Sequence, residues 1–321
     1  MVTDNNIRID ILLATYNGQD YIDEQIKSLF LQTYDNWRLI IRDDGSTDST
    51  INIINEYVKE YPEKISVIRD QDRNLGPARN FSRLLNNSLA DYIMFCDQDD
   101  FWKPKKIEMS LEKMGYLEKK YSKKVPILVH TDLEVVDGNL NQLSESMFKY
   151  QQLNSENKKL NQLLTQNNVT GCTLMINKSL ANICKPMPED IIMHDWWLAL
   201  NASAFGEIGF VNYSTIKYRQ HGKNEVGAKG YSVSYFANKL KDLNKVCKSV
   251  TKGINQAEIF YKLNKDNLSN DQLHLLEKFI ELPQKNRLRR LVSVYKNKIT
   301  KQGIIRNLGF YFILIVLKRT I

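Results

Sequence analysis

The amino-acid sequence predicts an α/β fold with a mostly parallel central sheet and helices on both faces, followed by a helical C-terminal region. Short apolar runs alternate with segments of helical periodicity in the first hundred residues. This alternation is typical of parallel strands joined by crossover helices. Charge changes along the chain: residues 1–231 hold 27 Lys or Arg and 31 Asp or Glu, whereas residues 232–321 hold 18 and 6. We therefore predict a domain of residues 1–228 and a basic helical region of residues 229–321.

The predicted elements of the first domain alternate in type as far as residue 96. The predicted strands are Ile7–Leu13, Trp37–Ile41, Ile65–Arg69 and Tyr92–Cys96. The predicted helices between them are Tyr21–Leu31, Thr50–Glu60 and Ala78–Leu89, each with apolar residues at helical spacing. Beyond them we predict helices at Lys105–Lys120 and Trp196–Ala204, strands at Pro126–His130 and Val211–Tyr218, and a turn entering a strand at Asn168–Asn177. Residues 137–160, rich in Asn, Gln, Ser and Lys, are expected to form a loop with a short helix.

Polar residues stand where three of the predicted strands end. They are Thr15-Tyr16-Asn17, Asp43-Asp44 and Asp97-Gln98-Asp99-Asp100. Ligands of α/β sheets bind beyond the carboxyl ends of the strands, so we expect these residues to open onto one crevice. Neighbouring carboxylates repel one another unless a positive charge lies between them. A divalent cation, Mg²⁺ or Mn²⁺, that carries a phosphorylated ligand would supply this charge. The alternative is a solvated acidic loop with a helix cap.

Two common phosphate-binding sequences are missing after the first predicted strand. Neither the glycine-rich G-x-G-x-x-G nor the phosphate loop G-x-x-x-x-G-K-[ST] occurs there. The expected nucleotide site therefore holds phosphates through a metal ion rather than through a backbone cradle.

The cysteines and the two ends of the chain predict the cellular setting. Cys96, Cys172, Cys184 and Cys247 have no paired spacing, so neither a disulfide framework nor a zinc site is expected. The first ten residues contain no apolar signal region, which predicts a cytoplasmic protein. Leu308–Leu317 is an apolar run with basic flanks, which predicts an anchor at the cytoplasmic membrane surface. The alternative is a core helix packed on the first domain.

Four segments resemble those of family 2 glycosyltransferases, which have the Rossmann-like glycosyltransferase-A fold. They read A-T-Y-N-G from Ala14, I-I-R-D-D-G-S-T-D-S-T from Ile40, N-L-G-P-A-R-N from Asn74 and D-Q-D-D-F-W-K-P-K-K-I from Asp97. The resemblance implies sugar transfer from a nucleoside diphosphate donor with inversion at the anomeric carbon. Two later segments, H-D-W-W and Y-R-Q-H-G, resemble rhamnosyltransferases of this family, which use a thymidine diphosphate donor. The resemblance thus implies dTDP-rhamnose or a UDP-sugar as donor.

The resemblance also implies which residues bind the nucleotide sugar. The expected set is Thr15, Tyr16, Asn17, Asp43, Arg79, Asp97 and Gln98. Thr15, Tyr16 and Asn17 would line the nucleotide pocket. Asp43 would contact the base, and Arg79 would meet oxygens of the donor. Asp44 and Asp48 are instead interpreted as turn and helix-cap residues.

The metal is expected at the D-x-D sequence formed by Asp97 and Asp99. Asp99 would bind the ion directly, and Asp97 would reach the ribose or a bound water. Asp100 is either a second ligand or the cap of the helix after Pro104. The resemblance places His221, together with Arg219, near the diphosphate. His221 would be a nitrogen ligand of the metal or a donor to phosphate, or its role is purely structural.

The acceptor side of the site is expected around Asp195. This acid stands between His194 and two tryptophans, Trp196 and Trp197, and burial against aromatic rings suits a general base. The resemblance likewise implies that Asp195 is the catalytic base; the alternative is a cap of the following helix. Gly171 would let the backbone approach the sugar. One tryptophan is expected to stack on a sugar ring and the other to pack.

The resemblance implies that the acceptor is a glycan or a lipid-linked glycan of a bacterial surface polysaccharide. A sugar nucleotidyltransferase is the nearer alternative function, but it would usually show a glycine- and lysine-rich loop near the first strand. A basic nucleic-acid-binding protein is the alternative of another class. The positive charge is confined to the C-terminal region and no nucleic-acid-binding sequence accompanies it, so no nucleic-acid partner is expected.

Overall fold

The computed structural model describes residues 7–222 and 243–317, and these contain nine strands and twelve α-helices. The strands are β1 Ile9–Thr15, β2 Trp37–Asp43, β3 Ile65–Val67, β4 Tyr92–Cys96, β5 Phe101–Trp102, β6 Ile127–Val136, β7 Gln142–Ser144, β8 Met175–Asn177 and β9 Glu207–Arg219. The helices are α1 Ile22–Phe30, α2 Thr50–Glu60, α3 Pro77–Asn87, α4 Lys106–Tyr121, α5 Met147–Gln151, α6 Leu160–Leu163, α7 Lys178–Cys184, α8 His194–Phe205, α9 Leu243–Asn264, α10 Asn270–Ile280, α11 Arg287–Lys296 and α12 Ile304–Val316.

All nine strands form one sheet, in the order β3-β2-β1-β4-β8-β6-β9-β5, with β7 paired to β6. The predicted α/β class with a mostly parallel central sheet is confirmed. Strands β1 to β4 are parallel to one another, as are β6 and β9. Strand β8 lies antiparallel between β4 and β6, and β5 is antiparallel to β9. The loops that the sequence predicts to open onto one crevice follow strands of the parallel half.

The strand ends meet because of the register of β1. Thr15 pairs with Asp43 of β2, and Leu13 pairs with Cys96 of β4. The polar residues that follow these strands therefore emerge at the same edge of the sheet. Strands β1 and β4 are mainly apolar and almost entirely buried, as expected for a sheet covered on both faces. The apolar core thus fixes the positions of the three polar loops.

The chain divides into two compact units. The first contains residues 1–147, 169–202 and 206–228, and it includes the whole sheet. The second contains residues 148–168, 203–205 and 229–321. The boundary predicted between residues 228 and 229 lies outside the described residues. The helical C-terminal region predicted from the sequence is confirmed.

The second unit contains helices of 10 to 22 residues and a buried arginine. Helices α9 to α12 contribute Phe260, Phe279, Val294 and Phe310 to its interior. The guanidinium of Arg290 donates to the carbonyls of Leu282, Pro283, Leu314 and Leu317. Among residues 7–222 and 243–317, no helix combines the length and the apolar character needed to cross a membrane.

Candidate active site

The ends of β1 and β2 are joined through Asp43. Its carboxylate accepts hydrogen bonds from the hydroxyl of Thr15 at 2.9 Å and from the backbone of Gly45 and Ser46 at 3.0 and 2.7 Å. The hydroxyl of Ser46 donates to the same carboxylate and accepts the N–H of Asn17. Asn17 has a φ of +48°, a conformation that asparagine tolerates better than most residues. These bonds hold three of the expected nucleotide-binding residues in one rigid loop pair.

Asp44 has a structural role, in agreement with its interpretation as a turn residue. The buried carboxylate pairs with Arg42 at 3.1 Å and accepts the N–H groups of Leu75 and Gly76 at 3.0 and 2.8 Å. Gly76 has a φ of +78°, where a residue with a Cβ would be strained. Arg42 also binds Asp70 through two nitrogens, each 2.9 Å from a carboxylate oxygen. This buried network fixes the loop that precedes α3.

Gln98 ties the loop after β4 to the loop after β1. Its side-chain amide accepts the N–H of Tyr16 and donates to the carbonyl of Tyr16, both at 2.9 Å. A Cβ at Gly18 would lie 2.2 Å from the Gln98 side-chain oxygen, so the Gln98 side chain would have to leave this position. The ring of Tyr16 remains exposed. Gln98 therefore holds the loop after β1 through the backbone of Tyr16.

The half-buried Asp97 and the buried Asp100 converge after β4. The ligand atoms of Asp97, Asp100 and Cys172 lie within 4.8 Å of one another. Burial, then the charges of Asp99 and Asp195, raise the pKa of Asp97 to about 7. Burial, then Asp99 and Asp97, raise the pKa of Asp100 well above its ordinary value. Four carboxylates thus act electrostatically on one small region of the first unit.

Asp99 forms a pair with His221, two residues beyond the end of β9. Nε2 of His221 lies 2.8 Å from Oδ2 of Asp99. The imidazole ring stacks on Tyr21, with ring centroids 4.7 Å apart. The structure thus brings together two of the three expected metal ligands, and the third, Asp97, lies close enough for the charge of Asp99 to raise its pKa.

Arg219 is hydrogen-bonded to the D-x-D loop. Its side chain is 2% exposed and donates to the carbonyls of Asp99 and Gly138 and to the carboxylate of Glu24. Its backbone N–H donates to Asp100 at 3.2 Å. The sequence interpretation placed Arg219 near the diphosphate and missed Glu24, because nothing distinguishes this acid from its neighbours in the first turn of α1.

The interpretation of Asp100 as a helix cap is wrong. No side chain caps the N-terminus of α4, which begins after Lys105. Asp100 is fully buried, and one of its oxygens accepts the N–H of Arg219. The sequence left Asp100 open between a second ligand and a cap of the helix after Pro104, and strand β5, which pairs with β9, lies between Asp100 and that helix. That pairing turns Asp100 toward the other acids.

Lys106 is a site residue that sequence reasoning missed. Its side chain is fully buried, its Nζ donates to the carbonyl of Thr173 at 3.3 Å, and burial lowers its pKa to about 8. It lies over the ring of Trp102 at 4.4 Å. A positive charge so close to Asp100 offsets part of the negative charge of the cluster. Lys106 lies on the same helical face as the buried residues Ser110 and Met114, and this spacing could have indicated that Lys106 is buried.

Helix α8 brings Asp195 to the acids. The helix begins at His194, earlier than predicted, so Asp195 lies in the first turn, where the helix dipole favours a negative charge. One carboxylate oxygen accepts the N–H of Trp196 at 2.6 Å. The charge of Asp195 is one cause of the raised pKa of Asp97. The expected base therefore faces the same region as the D-x-D acids.

His194 and Gly171 fit against each other beside Asp195. The imidazole lies between Phe81 and Phe95, with centroid distances of 4.0 and 5.2 Å. Burial lowers its pKa to about 3, so the ring is neutral at physiological pH. A Cβ at Gly171 would lie 2.8 Å from Nε2 of His194 and 3.7 Å from Oδ2 of Asp195. Glycine is thus required here for packing against α8.

The remaining predicted residues have mixed surroundings. Trp197 is buried and Trp196 is half-buried, which fits one packed and one accessible tryptophan. Arg79 pairs with Glu189 at 3.3 Å and also donates to the carbonyl of that residue. Its side chain is partly exposed, so it would have to exchange this partner for donor oxygens.

Carboxylate oxygens at this site can hold a divalent cation, because Mg²⁺ and Mn²⁺ favour oxygen ligands. Among the described residues, the group of ligand atoms within 4.8 Å of one another is that of Asp97, Asp100 and Cys172, and it lacks Asp99 and His221 of the expected set. Burial and the charges of Asp99 and Asp195 raise the pKa of Asp97, and a bound cation would favour its ionised form. Cys172 beside them is not a nucleophile, because burial raises the pKa of its thiol well above the ordinary value.

The family is decided by a comparison with known sequences. The profile described as glycosyl transferase family 2 matches residues 10–183, which is more than half of the chain. The chain belongs to glycosyl transferase family 2. This membership makes it a transferase of sugars, and the matched residues include the loops after β1, β2 and β4.

A sequence relative and two solved structures agree with this family. The dTDP-rhamnosyl transferase RfbG of Shigella flexneri is 31% identical over 229 residues, which cover 67% of this chain and 74% of the relative. The structure of S. aureus TarS 1-349 with UDP-GlcNAc has a TM-score of 0.52 at 16% identity, covering 96% of this chain and 90% of that one. The mannosyltransferase PcManGT of Pyrobaculum calidifontis, solved with GDP-Man and Mn²⁺, has a TM-score of 0.53 at 14% identity and covers 96% and 79%. These structures share the fold of this chain.

Proposed function

We propose that this family 2 member transfers a sugar from a nucleoside diphosphate donor to a hydroxyl of a glycan or lipid-linked glycan, with inversion of the anomeric centre. The observation that carries the proposal is the convergence of Asp97, Asp99 and Asp195 at one edge of the sheet. The similarity to a dTDP-rhamnosyl transferase supports dTDP-rhamnose as donor, and the UDP-GlcNAc complex of a structural neighbour supports a UDP-sugar as the alternative. The acceptor would be part of a bacterial surface polysaccharide.

In the proposed reaction Asp195 is the base. Its carboxylate takes the proton of the acceptor hydroxyl as that oxygen attacks the anomeric carbon from the side opposite the diphosphate. The bond between the anomeric carbon and the phosphate oxygen breaks, and its electron pair leaves with the nucleoside diphosphate. One displacement inverts the configuration. Base catalysis of this kind typically contributes about 10²- to 10⁴-fold to the rate.

The donor diphosphate would be held at the D-x-D loop. Asp99, Asp97 and His221 would bind Mg²⁺ or Mn²⁺, and an Mn²⁺-bound structural neighbour supports this expectation. When bound, the ion would stabilise negative charge on the leaving diphosphate as a Lewis acid. Thr15, Tyr16, Asn17 and Asp43 would hold the nucleotide, and Arg79 would meet donor oxygens. Gly171 and Trp196 would border the sugar and the acceptor.

The proposal places the enzyme in the cytoplasm, at the inner face of the membrane, where a lipid-linked acceptor would be available. A sugar nucleotidyltransferase is disfavoured because the family profile covers the residues that would form its site. A nucleic-acid-binding role would not account for the acidic cluster, because its carboxylates repel phosphate groups.

A donor panel tests the proposal. Purified protein with Mn²⁺ or Mg²⁺ is incubated with dTDP-, UDP- and GDP-sugars, and release of nucleoside diphosphate is measured. We expect slow metal-dependent hydrolysis of one donor, since water can replace the acceptor. Asp99→Asn should abolish metal-dependent donor binding, whereas Asp190→Asn, a change at an exposed acid, should not. Failure of every donor to react or bind would refute the proposed function.

A further inference from the structure

Helices α11 and α12 of the second unit each expose a stripe of apolar side chains. The stripe residues are Leu288, Val292, Tyr295, Ile304, Leu308, Phe312 and Val316. They are seven of the 17 large apolar side chains exposed in the described part of the chain. Residues three or four positions apart share one face of a helix, so the spacing produces continuous stripes. The opposite faces are buried, through Val294 on α11 and through Ile313 and Leu314 on α12.

The two stripes are adjacent. Leu288 of α11 and Val316 of α12 line one groove, together with Lys285 and Arg287. Arg290 fixes this arrangement by donating to carbonyls at the C-terminal end of α12, at 2.9 and 2.6 Å. We refer to the seven stripe residues and the basic residues around them as the apolar-basic surface.

The charge around the stripes is mainly positive. Residues 282–317 contain eight Lys or Arg and no Asp or Glu. A second groove on α11 is lined by Lys278, Lys285, Arg289 and Lys296. Glu281 pairs with Lys285 at 3.0 Å and Lys278 at 3.6 Å. Among the residues that the structure describes, Arg287, Arg289 and Lys296 form no ion pair, so their charge is available to an anionic partner.

We propose that the apolar-basic surface docks on an anionic phospholipid bilayer, a proposal that rests on the membrane association proposed above and assigns it to particular side chains. Apolar stripes flanked by cations are the pattern of helices that lie in the plane of the membrane interface. Helix α12 has 13 residues and is therefore about 20 Å long, too short to span a hydrocarbon core of about 30 Å. The side chains of Leu308 and Phe312 enter the acyl boundary, and Arg287, Arg289 and Lys296 meet lipid phosphates.

Two other partners fit the surface less well. A second copy of this chain would bring its own cations against these cations, and like charges across an interface are costly. A nucleic acid would match the charge, but its phosphate backbone offers no cover for seven apolar side chains. A bilayer with anionic lipids satisfies both features together.

Vesicle binding tests the proposal. The full-length protein is sedimented with vesicles of phosphatidylcholine alone or with a third of the lipid replaced by phosphatidylglycerol. We expect binding to the anionic vesicles and weak binding to the neutral ones. Leu308→Glu should weaken binding at least tenfold. Leu263→Glu is the matched control, because Leu263 is 61% and Leu308 is 62% exposed, and it should change binding less than twofold.

Electrostatics is tested separately. The double variant Arg287→Gln and Arg289→Gln should weaken binding to anionic vesicles about fivefold for each charge removed, and added salt should reduce the difference. Unchanged circular dichroism would show that each variant is folded. Equal binding of the Leu308 and Leu263 variants, or binding that ignores phosphatidylglycerol, would overturn the proposal. So would a dimer in solution that Leu308→Glu converts to a monomer.

The test separates this proposal from the proposed function. Donor hydrolysis in solution involves no membrane, so Leu308→Glu should retain it. Hydrolysis without vesicle binding would refute the docking surface and leave the transferase function intact. Vesicle binding without reaction of any donor would refute the transferase function and leave the docking surface intact.

Discussion

At the scale of single residues, the site is governed by negative charge that the protein compensates only in part. Asp100 is stabilised by the charge of Lys106 and by a hydrogen bond from the backbone N–H of Arg219. Burial disfavours the ionised form of Asp97, and so do the charges of Asp99 and Asp195. Together they raise its pKa to about 7. An ionised Asp97 therefore destabilises the metal-free protein. This strain is what a cation or a proton would relieve.

The pH dependence of stability follows from Asp97. Its pKa is raised on folding, so the native state binds more protons than the unfolded state from about pH 4 to about pH 7, and stability falls as pH rises through this window. Asp97→Asn should therefore raise the free energy of unfolding at about pH 8 by on the order of 1–2 kcal/mol, less than the full shift because the group is half-buried. The gain should be smaller at about pH 5.

Urea denaturation in the presence of a chelator measures this effect. Asp190→Asn, at an exposed position, serves as the control and should leave stability unchanged at both pH values. Divalent metal should stabilise the wild-type protein more at the higher pH, because protons compete with the ion for the carboxylates. A gain from Asp97→Asn that is the same at both pH values would mean that Asp97 has an ordinary pKa.

At the scale of elements, the site depends on how α8 packs against the turn at Gly171. His194 cannot move away from that turn without displacing Phe81 or Phe95. The ring therefore sets the position of the first turn of α8. Since Asp195 is the next residue, the packing of His194 also fixes where the carboxylate of Asp195 lies.

Gly171→Ala should disturb this packing. The added methyl carbon would lie 2.8 Å from His194 Nε2, so α8 or the turn must shift. We expect a loss of about 1–3 kcal/mol in the free energy of unfolding, typical of overpacking, together with reduced turnover. The control is Gly115→Ala on α4, where the methyl group meets no atom within 4 Å. It should raise helix stability by up to about 1 kcal/mol. Equal stability of the two variants would contradict this packing role.

The sequence predicted most elements but shortened those that contain buried charges. Strand β6 was expected to end at His130, yet it continues through Asp132 and Glu134. Asp132 accepts N–H groups of Leu133 and Met147, and Glu134 pairs with Lys103 at 2.6 Å. These partners offset the energetic cost of burying the acids, and Met147 and Lys103 are distant from them in the sequence. Apolar periodicity therefore could not reveal the full strand.

At the scale of the whole molecule, the sequence indicated the residues proposed to bind the donor better than the position of the proposed base. The strand-end residues follow from the parallel register of β1, β2 and β4, which the alternation of elements predicts. The approach of Asp195 to Asp97 depends instead on β8 and α8 folding back beside β4. No local sequence pattern predicts the antiparallel pairing of β8 with β4. The expectation that Asp195 belongs to the site came from the resemblance to the family as well as from its aromatic neighbours.

The charge asymmetry of the chain also belongs to this scale. The acidic first part contains the candidate active site, and the basic C-terminal region contains the apolar-basic surface. The sequence predicted an anchor at Leu308–Leu317, whose flanking residues Lys318 and Arg319 lie outside the described residues. In the structure, Phe310, Ile313 and Leu314 of α12 are buried, so only one face of this helix is available to a membrane.

The most direct test of the central claim compares Asp195→Asn with Asp190→Asn in steady-state and binding measurements on the reactive donor. If Asp195 is the base of a transfer at the D-x-D loop, Asp195→Asn should bind donor and metal as the wild type does and lose about 10²- to 10⁴-fold in kcat. Asp190→Asn should keep both. Near-normal transfer by Asp195→Asn, with its fold intact, would contradict the assignment of this site.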